Sequence, residues 1–455
     1  MKRTIQEIAD WLNIEYIDFN DTVVSGVSID TRTISQGDLF IPFRGEAVNG
    51  HKYVQQAFEK GASATLWLKD EPNPPKDKPV LFVEDAEIAL QEMARAYRRV
   101  HQAKFIGVTG SNGKTSSKDI LASMLSPFYK VQKTIGNFNN QLGLPITVLN
   151  LDEDTEIAVL EMGMSGFGEI DFLTKLANPH FAVITNIGEA HMQDLGSREG
   201  IAKAKFEIIG GLNSEGILFY DGDEPLLQNL VSQQKELKSK AFGFQSTNAL
   251  VATSIETTEK GSRFTVSGEV KGEFFIPVLG KHQVKNSLNA ILMGKELGLT
   301  DDQIRQGLSQ AMLTDMRMQL VPTEQGILFI NDAYNAAPTS MTAAIQFVQS
   351  TSLREDKWLV LGDMLELGDD ERLFHEQIAA VIDPKDISRV CLYGPRMKWL
   401  YEQLKQKFVG EKLIHTENDY DEIVAYINNN ANDKTLILLK GSRGMKLETI
   451  LKSFK

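Results

Sequence analysis

The stretch that decides the fold is KFIGVTGSNGKTSSKDILASML, residues 104–125. It begins as an apolar strand, passes through a glycine-containing loop and continues as a helix with Ile120, Leu121 and Met124 on its inner side. Glycines let successive backbone N–H groups point inward, and a helix N-terminus adds partial positive charge. The stretch therefore predicts a phosphate-binding loop between a strand and a helix of a parallel sheet.

The loop sequence TGSNGKT contains the residue types that hold a nucleoside triphosphate. Lys114 can reach the β- and γ-phosphates, and the Thr115 hydroxyl can ligate Mg²⁺. The loop is shorter than the common G-x-x-x-x-G-K-T form, because Val108 stands at the position of the first glycine. The predicted nucleotide-binding residues are Gly110, Ser111, Asn112, Gly113, Lys114 and Thr115.

Strand and helix patterns alternate on both sides of this loop, which predicts an α/β protein with mostly parallel sheets. A chain of 455 residues has room for about three domains of ordinary size. We expect a small α/β N-terminal domain over residues 1–83, a central P-loop-type domain with a mostly parallel sheet over 84–314, and a C-terminal Rossmann-like domain over 315–455.

Composition excludes several classes of protein. The formal charge of −13 argues against bulk nucleic-acid binding. Cys391 is the only cysteine, so an intramolecular disulfide and a cysteine-rich metal site are impossible. No apolar run reaches the ~18 residues of a membrane span, and the N-terminal stretch lacks a signal-peptide core. We expect a cytoplasmic monomer with no membrane insertion and no nucleic-acid partner.

Glu161 ends the apolar strand IAVLEMG, 46 residues after Thr115. Ligands in parallel α/β sheets gather at the carboxyl ends of the strands, where a carboxylate can hold phosphate-bound Mg²⁺. The alternative is an ordinary strand-end charge. Glu169, in the loop that follows, is a weaker candidate for the same role.

His191 follows another apolar strand, and Lys205 comes 14 residues later. A lysine in an apolar setting is easily deprotonated. The neutral amine can then add CO₂ and become an anionic carbamate that ligates metal. From the residues alone, a packed or surface histidine and a surface lysine remain the simpler interpretations.

Polar side chains also follow several later strands. An asparagine suits the edge of adenine, an aspartate suits ribose hydroxyls, and an arginine suits a phosphoryl group in transfer. Turns and helix caps are the alternative interpretation of each cluster. In the first domain, loop residues Asp30, Arg32, Arg44, Asn49 and His51 fit either a phosphate site or solvated loops.

Taken together, the motifs resemble the Mur ligases over essentially the whole chain. Those shared across the family include TGSNGKT, EMG…GEI, N-x-x-x-AH…LGS, AKAK and GKH…N, with S-x-D-T-R, GDLF and GNFNNQLGLP also matching. The motifs DAYNA-x-P-x-SM-x-AA, GDMLELG and KGSR resemble one member of the family, the ligase that adds D-alanyl-D-alanine.

The resemblance implies a first domain that holds a uridine nucleotide, a central ATPase domain, and a third domain that closes over ATP and the incoming dipeptide. It implies that the terminal carboxylate of UDP-N-acetylmuramoyl-tripeptide is phosphorylated by ATP. The amine of D-alanyl-D-alanine then attacks the acyl phosphate, and the product is the pentapeptide precursor of peptidoglycan.

The resemblance also implies catalytic roles for individual residues. Lys114 would bind the β- and γ-phosphates, and Arg317 would bind the γ-phosphate. Thr115 and Glu161 would hold one Mg²⁺. His191 and a carbamylated Lys205 would hold the second. Lys205 is preferred to Lys203 because of the apolar residues that follow it and its distance from His191.

Binding roles follow from the same resemblance. Asn286 and Asn335 would face the adenine, and Asp332 would face the ribose. The residues expected to contact the UDP-linked substrate are Ser28, Asp30, Thr31, Arg32, Arg44, Asn49, His51, Asn137 and Asn140.

Three positions depart from the family pattern, namely Gln283, Asn331 and Ala337. The nearest rival functions are those of a sister Mur ligase and of a folylpolyglutamate synthase, and the YNA-x-P and KGSR motifs argue against both. A P-loop regulatory NTPase is a rival of another class. The guanine-reading N-K-x-D motif is absent from the chain.

Overall fold

Three α/β sheets organise the computed structural model, which describes residues 1–16, 18–45, 48–189 and 192–454. Most neighbouring strands in the three sheets are parallel. Because helices cover such sheets on both faces, the strand sequences are nearly continuous apolar runs. The three-domain α/β architecture predicted from the sequence is confirmed by this topology and by the comparisons described below. The proposed boundaries after residues 83 and 314 stay a prediction.

The first sheet is small and parallel, with strand order β3-β4-β5-β6, and β1 and β2 form a separate antiparallel pair. Thr4 starts the first helix through a reciprocal capping box with Glu7. The elements are β1 (Arg3–Thr4), α1 (Ile5–Trp11), β2 (Val23–Val24), β3 (Gly26–Ser28), β4 (Asp38–Phe40), α2 (Val54–Glu59), β5 (Ala64–Leu68) and β6 (Val80–Val83).

The central sheet has nine strands in the order β15-β14-β13-β12-β11-β10-β7-β9-β8. Neighbours from β8 to β13 are parallel, which puts the ends of β7, β9 and β10 side by side. The elements are α3 (Ala86–Val100), β7 (Lys104–Thr109), α4 (Lys114–Leu125), β8 (Val131–Lys133), α5 (Gly143–Leu149), β9 (Ile157–Glu161), α6 (Glu169–Ala177), β10 (Phe181–Ile184), α7 (Met192–Leu195), α8 (Arg198–Phe206), β11 (Ile217–Asp221), α9 (Pro225–Ser232), β12 (Ser239–Gly243), β13 (Leu250–Thr258), β14 (Gly261–Gly268), β15 (Gly272–Ile276), α10 (Lys281–Glu296) and α11 (Asp301–Leu308).

One edge of the central sheet is antiparallel, because β13, β14 and β15 form two hairpins. Along β14, Phe264 and Val266 are buried while Arg263 is exposed, which is the alternation of a strand with one covered face. Glycines at the ends of β14 have φ of 142° at Gly261 and 115° at Gly268, values that favour glycine where the chain reverses. This antiparallel extension was not predicted from the sequence.

The C-terminal sheet has the order β16-β17-β21-β18-β19-β20, with only the β16–β17 pair antiparallel. Cys391 lies on β19 with no exposed surface, and burial raises the pKa of its thiol. The elements are β16 (Gln319–Pro322), β17 (Leu328–Asn331), α12 (Pro338–Ser350), β18 (Asp356–Gly362), α13 (Glu371–Val381), β19 (Arg389–Tyr393), α14 (Met397–Leu404), β20 (Leu413–Thr416), α15 (Tyr420–Asn430), β21 (Thr435–Lys440) and α16 (Glu448–Leu451).

Short 3₁₀ helices complete the described secondary structure, at Gly50–Tyr53, Glu207–Gly211, Gly368–Asp370, Gly410–Lys412, Arg443–Met445 and Lys452–Phe454. Side-chain caps fix several helix starts. Asp85 accepts from two backbone N–H groups of α3, and Ser197 accepts from one of α8. Within the described part of the chain, every helix is too short or too polar to cross a membrane.

Candidate active site

The predicted phosphate loop lies between β7 and α4, and its two glycines are required by close neighbours. Gly110 has φ of 150°, and a Cβ there would stand 1.9 Å from Thr185 Oγ1. Gly113 has φ of 79°, and a Cβ there would stand 2.8 Å from Asn286 Oδ1. The loop conformation therefore depends on both glycines, as the sequence predicts.

Several polar atoms around the loop are buried without a partner among the described residues. They are Ser111 Oγ, Asn112 Nδ2 and Arg317 Nε. All three residues line a cavity of about 290 Å³. Because buried polar groups are normally hydrogen-bonded, donors left open beside a cavity fit an anionic ligand. A phosphate chain supplies such acceptors.

Lys114 is the first residue of α4, and its Nζ donates to Gly110 O at 2.8 Å. Burial lowers the pKa of Lys114, an effect that Glu161 opposes and Arg317 reinforces. An anion beside Lys114 would offset both the burial and the repulsion from Arg317. The lysine is therefore placed where phosphate oxygens would stabilise its charge.

Glu161 is buried at the end of β9, and both of its carboxylate oxygens have partners. Thr115 Oγ1 donates to Oε2 at 2.9 Å, and Asn139 Nδ2 donates to Oε1 at 2.9 Å. Lys118 Nζ lies 3.9 Å from Oε2. A hydroxyl and a carboxylate within hydrogen-bonding distance are oxygen ligands of the kind that Mg²⁺ prefers.

The C-terminal domain supplies the opposite side of the cavity. Arg317 Nη2 donates to Thr115 Oγ1 at 3.2 Å, and the Arg317 guanidinium lies 4.0 Å from the centroid of the Tyr334 ring. Asp332 Oδ2 pairs with Lys440 Nζ at 2.6 Å. The structure thus brings to one cavity the predicted residues Ser111, Asn112, Gly113, Lys114, Thr115, Glu161, Asn286, Arg317, Asp332 and Asn335.

Asn286 lies in the first two turns of α10 and is held by Gln283. Its Nδ2 donates to Gln283 Oε1 at 3.1 Å, and Gln283 Nε2 donates to Ser116 Oγ at 3.3 Å. Gln283 is one of the departures from the family pattern. In this chain its side chain contacts Asn286 in α10 and Ser116 in α4, the helix that follows the phosphate loop. The glutamine therefore helps to position Asn286 relative to that loop.

The two candidate lysines of α8 differ sharply in exposure. Lys205 is only 1% exposed, whereas Lys203 is exposed. Burial, and then the nearby charge of Lys114, lower the pKa of Lys205 well below its ordinary value. The predicted partner His191 lies outside the described residues. In the described ranges, no three His, Cys, Asp or Glu side chains cluster in a way that could hold a metal.

The predicted substrate residues of the first domain do not line this cavity. Arg32 is 85% exposed, and its Nη2 pairs with Asp30 Oδ2 at 2.5 Å. The side-chain hydrogen bond from Arg32 lowers the pKa of Asp30 to about 2. Nearby, Thr31 Oγ1 donates to Gln56 Oε1 at 3.0 Å, and Ser28 Oγ lies 3.1 Å from Thr33 Oγ1.

Arg44, Asn49 and His51 form a second group in the first domain. Arg44 Nη2 pairs with Asp70 at 3.0 Å and with Glu71 at 2.7 Å. His51 is buried, and its Nδ1 lies 2.9 Å from Asn49 Oδ1, while its Nε2 accepts from a backbone N–H at 3.3 Å. Both ring nitrogens of His51 therefore have partners inside the domain, and its contact with a substrate stays a prediction.

Asn137 and Asn140 are exposed on the segment between β8 and α5 and do not line the cavity, whereas Asn139 between them does. Asn140 Oδ1 accepts from the backbone N–H of Gly143 at 2.9 Å, which stabilises the start of α5. Glu169 accepts from the backbone N–H groups of Ser165 and Gly166, both at 3.0 Å. These bonds close the loop before α6, so the structure gives Glu169 a local structural contact.

Sequence reasoning missed several residues of the cavity. Asn139 donates a hydrogen bond to Glu161. It lies in the asparagine run GNFNN, where the sequence-based prediction selected Asn137 and Asn140 as substrate contacts instead. Lys440 pairs with Asp332, and its signal is the KGSR motif at a strand end. The other residues lining the cavity that the sequence analysis did not assign include Thr185, Asn186, His282, Lys285 and Tyr334.

Comparisons with known proteins agree with this arrangement. The chain matches three families in turn: Mur ligase family, catalytic domain, over residues 23–98; Mur ligase middle domain, over 108–294; and Mur ligase, glutamate ligase domain, over 316–443. It is 49% identical, over 99% of its own length and 98% of the relative's, to the UDP-N-acetylmuramoyl-tripeptide--D-alanyl-D-alanine ligase of Bacillus subtilis.

Solved structures agree as well. MurF from Acinetobacter baumannii matches with a TM-score of 0.87 and 27% identity, covering 100% of this chain and 99% of that one. MurF ligase from Thermotoga maritima, solved in complex with ADP, matches with a TM-score of 0.83 and 26% identity, covering 95% and 97%. The fold, the phosphate loop and the full-length similarity agree, and the chain belongs to the Mur ligase family.

Proposed function

We propose that this chain is an ATP-dependent ligase that joins D-alanyl-D-alanine to UDP-N-acetylmuramoyl-tripeptide. The product would be the UDP-linked pentapeptide from which peptidoglycan is built. The full-length similarity to ligases of that name carries the proposal. A cytoplasmic location belongs to the same proposal, because ATP and UDP-linked intermediates are substrates of that compartment.

The reaction has two steps. A carboxylate oxygen of the tripeptide bonds to the γ-phosphorus of ATP, and ADP leaves. The amine nitrogen of the dipeptide then bonds to the acyl carbon and loses a proton, and phosphate leaves as the carbon–oxygen bond breaks. Lys114 holds the β- and γ-phosphates, and Arg317 holds the γ-phosphate. Their fixed charges stabilise the charge that shifts between oxygens in transfer.

Thr115 and Glu161 would hold one Mg²⁺, and His191 with a carbamylated Lys205 would hold a second. Ions held there would neutralise the repulsion between a carboxylate and a triphosphate. The low pKa of buried Lys205 supports carbamylation, because the neutral amine can add CO₂ and release a proton. The resulting carbamate would place an anion, instead of a neutral amine, in the surroundings of Lys114.

The nucleoside of ATP would lie between the central and C-terminal domains. Asn286 and Asn335 face the adenine in this proposal, and Asp332 faces the ribose. All three line the same cavity as the phosphate loop, which supports one continuous nucleotide site. The pairing of Asp332 with Lys440 holds the carboxylate in place before it meets a hydroxyl.

Phosphate release by the wild-type protein tests the function. We expect release from ATP to require both UDP-N-acetylmuramoyl-tripeptide and D-alanyl-D-alanine. Release at an equal rate without either substrate would instead indicate an NTPase without ligase chemistry. Replacement of the dipeptide by a single amino acid, with undiminished turnover, would indicate a sister ligase.

The first domain should hold the uridine diphosphate separately from ATP. A charge-assisted contact between Arg32 and a diphosphate is worth roughly 1.5–3 kcal/mol, and about 1.4 kcal/mol is tenfold in affinity. We therefore expect Arg32→Ala to raise the KM for the UDP-linked substrate by about one to two decades. Because Arg32 is 85% exposed, its removal leaves no core cavity.

The KM for ATP should hardly change in the Arg32→Ala protein, since the two sites lie in different domains. Arg99→Ala is the matched control, because Arg99 is also exposed and has no assigned role. The two KM values would be measured on each folded variant. A rise confined to ATP, or no rise in either value, would contradict the assignment of the first domain.

A further inference from the structure

Helix α4 carries a stripe of three polar residues that face the linker, defined here as residues 312–317, which span the predicted boundary of the central and C-terminal domains. The three residues are Thr115, Asp119 and Ser123, spaced four apart. Residues at this spacing share one face of a helix and lie about 6 Å apart along its axis. An extended chain covers about 6–7 Å in two residues, which matches the spacing of Met312 and Thr314 opposite Ser123 and Asp119. Arg317 follows three residues after Thr314, past a bend, and reaches Thr115 with its long side chain.

Each member of the stripe hydrogen-bonds a linker residue. Thr115 Oγ1 accepts from Arg317 at 3.2 Å, as described above. Asp119 Oδ2 accepts from the backbone N–H of Thr314 at 2.9 Å and from its hydroxyl at 2.7 Å. Ser123 Oγ accepts from the backbone N–H of Met312 at 3.2 Å. Helix α4, which begins at the phosphate loop, is thus hydrogen-bonded along its length to the linker that contains Arg317.

Asp119 is the central member of the stripe, and its hydrogen bonds to the linker are the shortest of those described above. Its side chain has no exposed surface, its Oδ1 accepts from Lys133 Nζ at 2.5 Å, and Lys118 Nζ lies 3.6 Å away. Burial alone would raise the pKa of Asp119, but the charge of Lys118 and the bond from Lys133 hold it below its ordinary value. The carboxylate is therefore ionised, and its bonds to Thr314 are charge-assisted.

We propose that Asp119 and Thr314 form a positioning clamp that sets where Arg317 meets the phosphate loop. Thr314 stands three residues before Arg317. The clamp therefore fixes the backbone of the linker close to the residue that carries the guanidinium. Asp119 touches no predicted substrate atom, and its hydrogen bonds to Thr314 join it to the linker. Among the described residues, its other charged neighbours are Lys133 and Lys118, which do not contact the linker residue Thr314. The inference rests on the proposed function, in which Arg317 binds the γ-phosphate during transfer.

Thr314→Val tests the clamp, because it removes the hydroxyl at nearly constant shape. Thr314 is exposed, so the change opens no cavity in the core. We expect kcat to fall about tenfold, which equals about 1.4 kcal/mol, with the KM for the UDP-linked substrate unchanged. Thr314→Ser keeps the hydroxyl and should restore kcat to within about twofold of the wild type. A purely structural role would not give this split between kcat and KM.

A double-mutant cycle with Arg317→Ala decides whether the clamp acts through the arginine. In the Arg317→Ala background, Thr314→Val should cause no further loss of kcat. Asp315→Ala is the control, because Asp315 is exposed in the linker and its carboxylate accepts from Gln319 at 3.0 Å, not from α4.

An equal loss in both backgrounds, or no loss in Thr314→Val alone, would overturn the clamp. These results are ratios of ATP turnover among variants of one protein. Whether the wild type ligates D-alanyl-D-alanine is measured separately. A failure of the proposed function would therefore be distinguishable from a failure of the clamp.

Discussion

Lys114→Ala is expected to lower ATP-dependent ligation by about 10³-fold or more while the chain stays folded. Removing one preorganised group that stabilises transition-state charge costs about 10²–10³-fold, and Lys114 would contact two phosphates at once. Among the described residues, its Nζ donates to backbone oxygens of the loop, at 2.8 Å and 3.5 Å, and not to the apolar core. The measurement is phosphate release with both substrates, beside a thermal unfolding curve.

Lys104→Ala is the matched control for this variant. Lys104 begins the strand that leads into the phosphate loop, and its side chain is exposed at the opposite end of that strand. Its removal should leave turnover near that of the wild type. Normal turnover in a folded Lys114→Ala protein would disprove the phosphate role of the loop.

Lys205→Ala is expected to lose activity that short-chain carboxylic acids partly restore. Removing even a supporting group of a metal site costs about 10–100-fold, so loss of a ligand should cost at least as much. A small acid can enter the space left by the side chain and offer its oxygens in place of the carbamate. Turnover would be measured across a series of formate, acetate and propionate concentrations.

Lys203→Ala provides the comparison on the same helix. Lys203 is exposed, and Lys205 is 1% exposed, so only the second loses a buried group when shortened. We expect Lys203→Ala to retain more activity and to show no response to the acids. Rescue at Lys203, with none at Lys205, would reverse the assignment of the carbamylated residue.

The parts of the site that the sequence predicted are those with a local signal. The phosphate loop follows from glycines at fixed positions between a strand and a helix, and Glu161 follows from its place at a strand end. Arg317, Asp332 and Asn335 were assigned through the family resemblance, and the structure brings them to the same cavity. Their roles toward ATP stay predictions that the variants above would test.

The pairing of side chains between distant segments had no such signal, although Asn139 itself stands in the asparagine run GNFNN. Asn139 bonds Glu161 across 22 residues, and Asp119 bonds Thr314 across 195. Each depends on how two elements pack after the chain has folded, and an asparagine or aspartate in a loop or helix is equally typical of a turn or a solvated face. Sequence periodicity locates elements but does not pair their side chains.

The fold shows the same division. Apolar strands that alternate with helices predicted the parallel sheets, because such strands are buried on both faces. The β13–β15 hairpins interrupt this alternation without a helix between them. Their signal was the period of two from Arg263 to Ser267 in β14, which indicates a strand but does not tell which strands pair with it.

The buried position of Cys391 has a practical consequence for following domain movement in solution. A thiol with no exposed surface and a raised pKa reacts slowly with alkylating reagents, because the thiolate is the reactive form. Since this is the chain's only cysteine, a pair of cysteines introduced at exposed positions would take up fluorescent dyes with little background labelling. One dye on the central domain and one on the C-terminal domain would then report the distance between them during turnover, without first replacing a native residue.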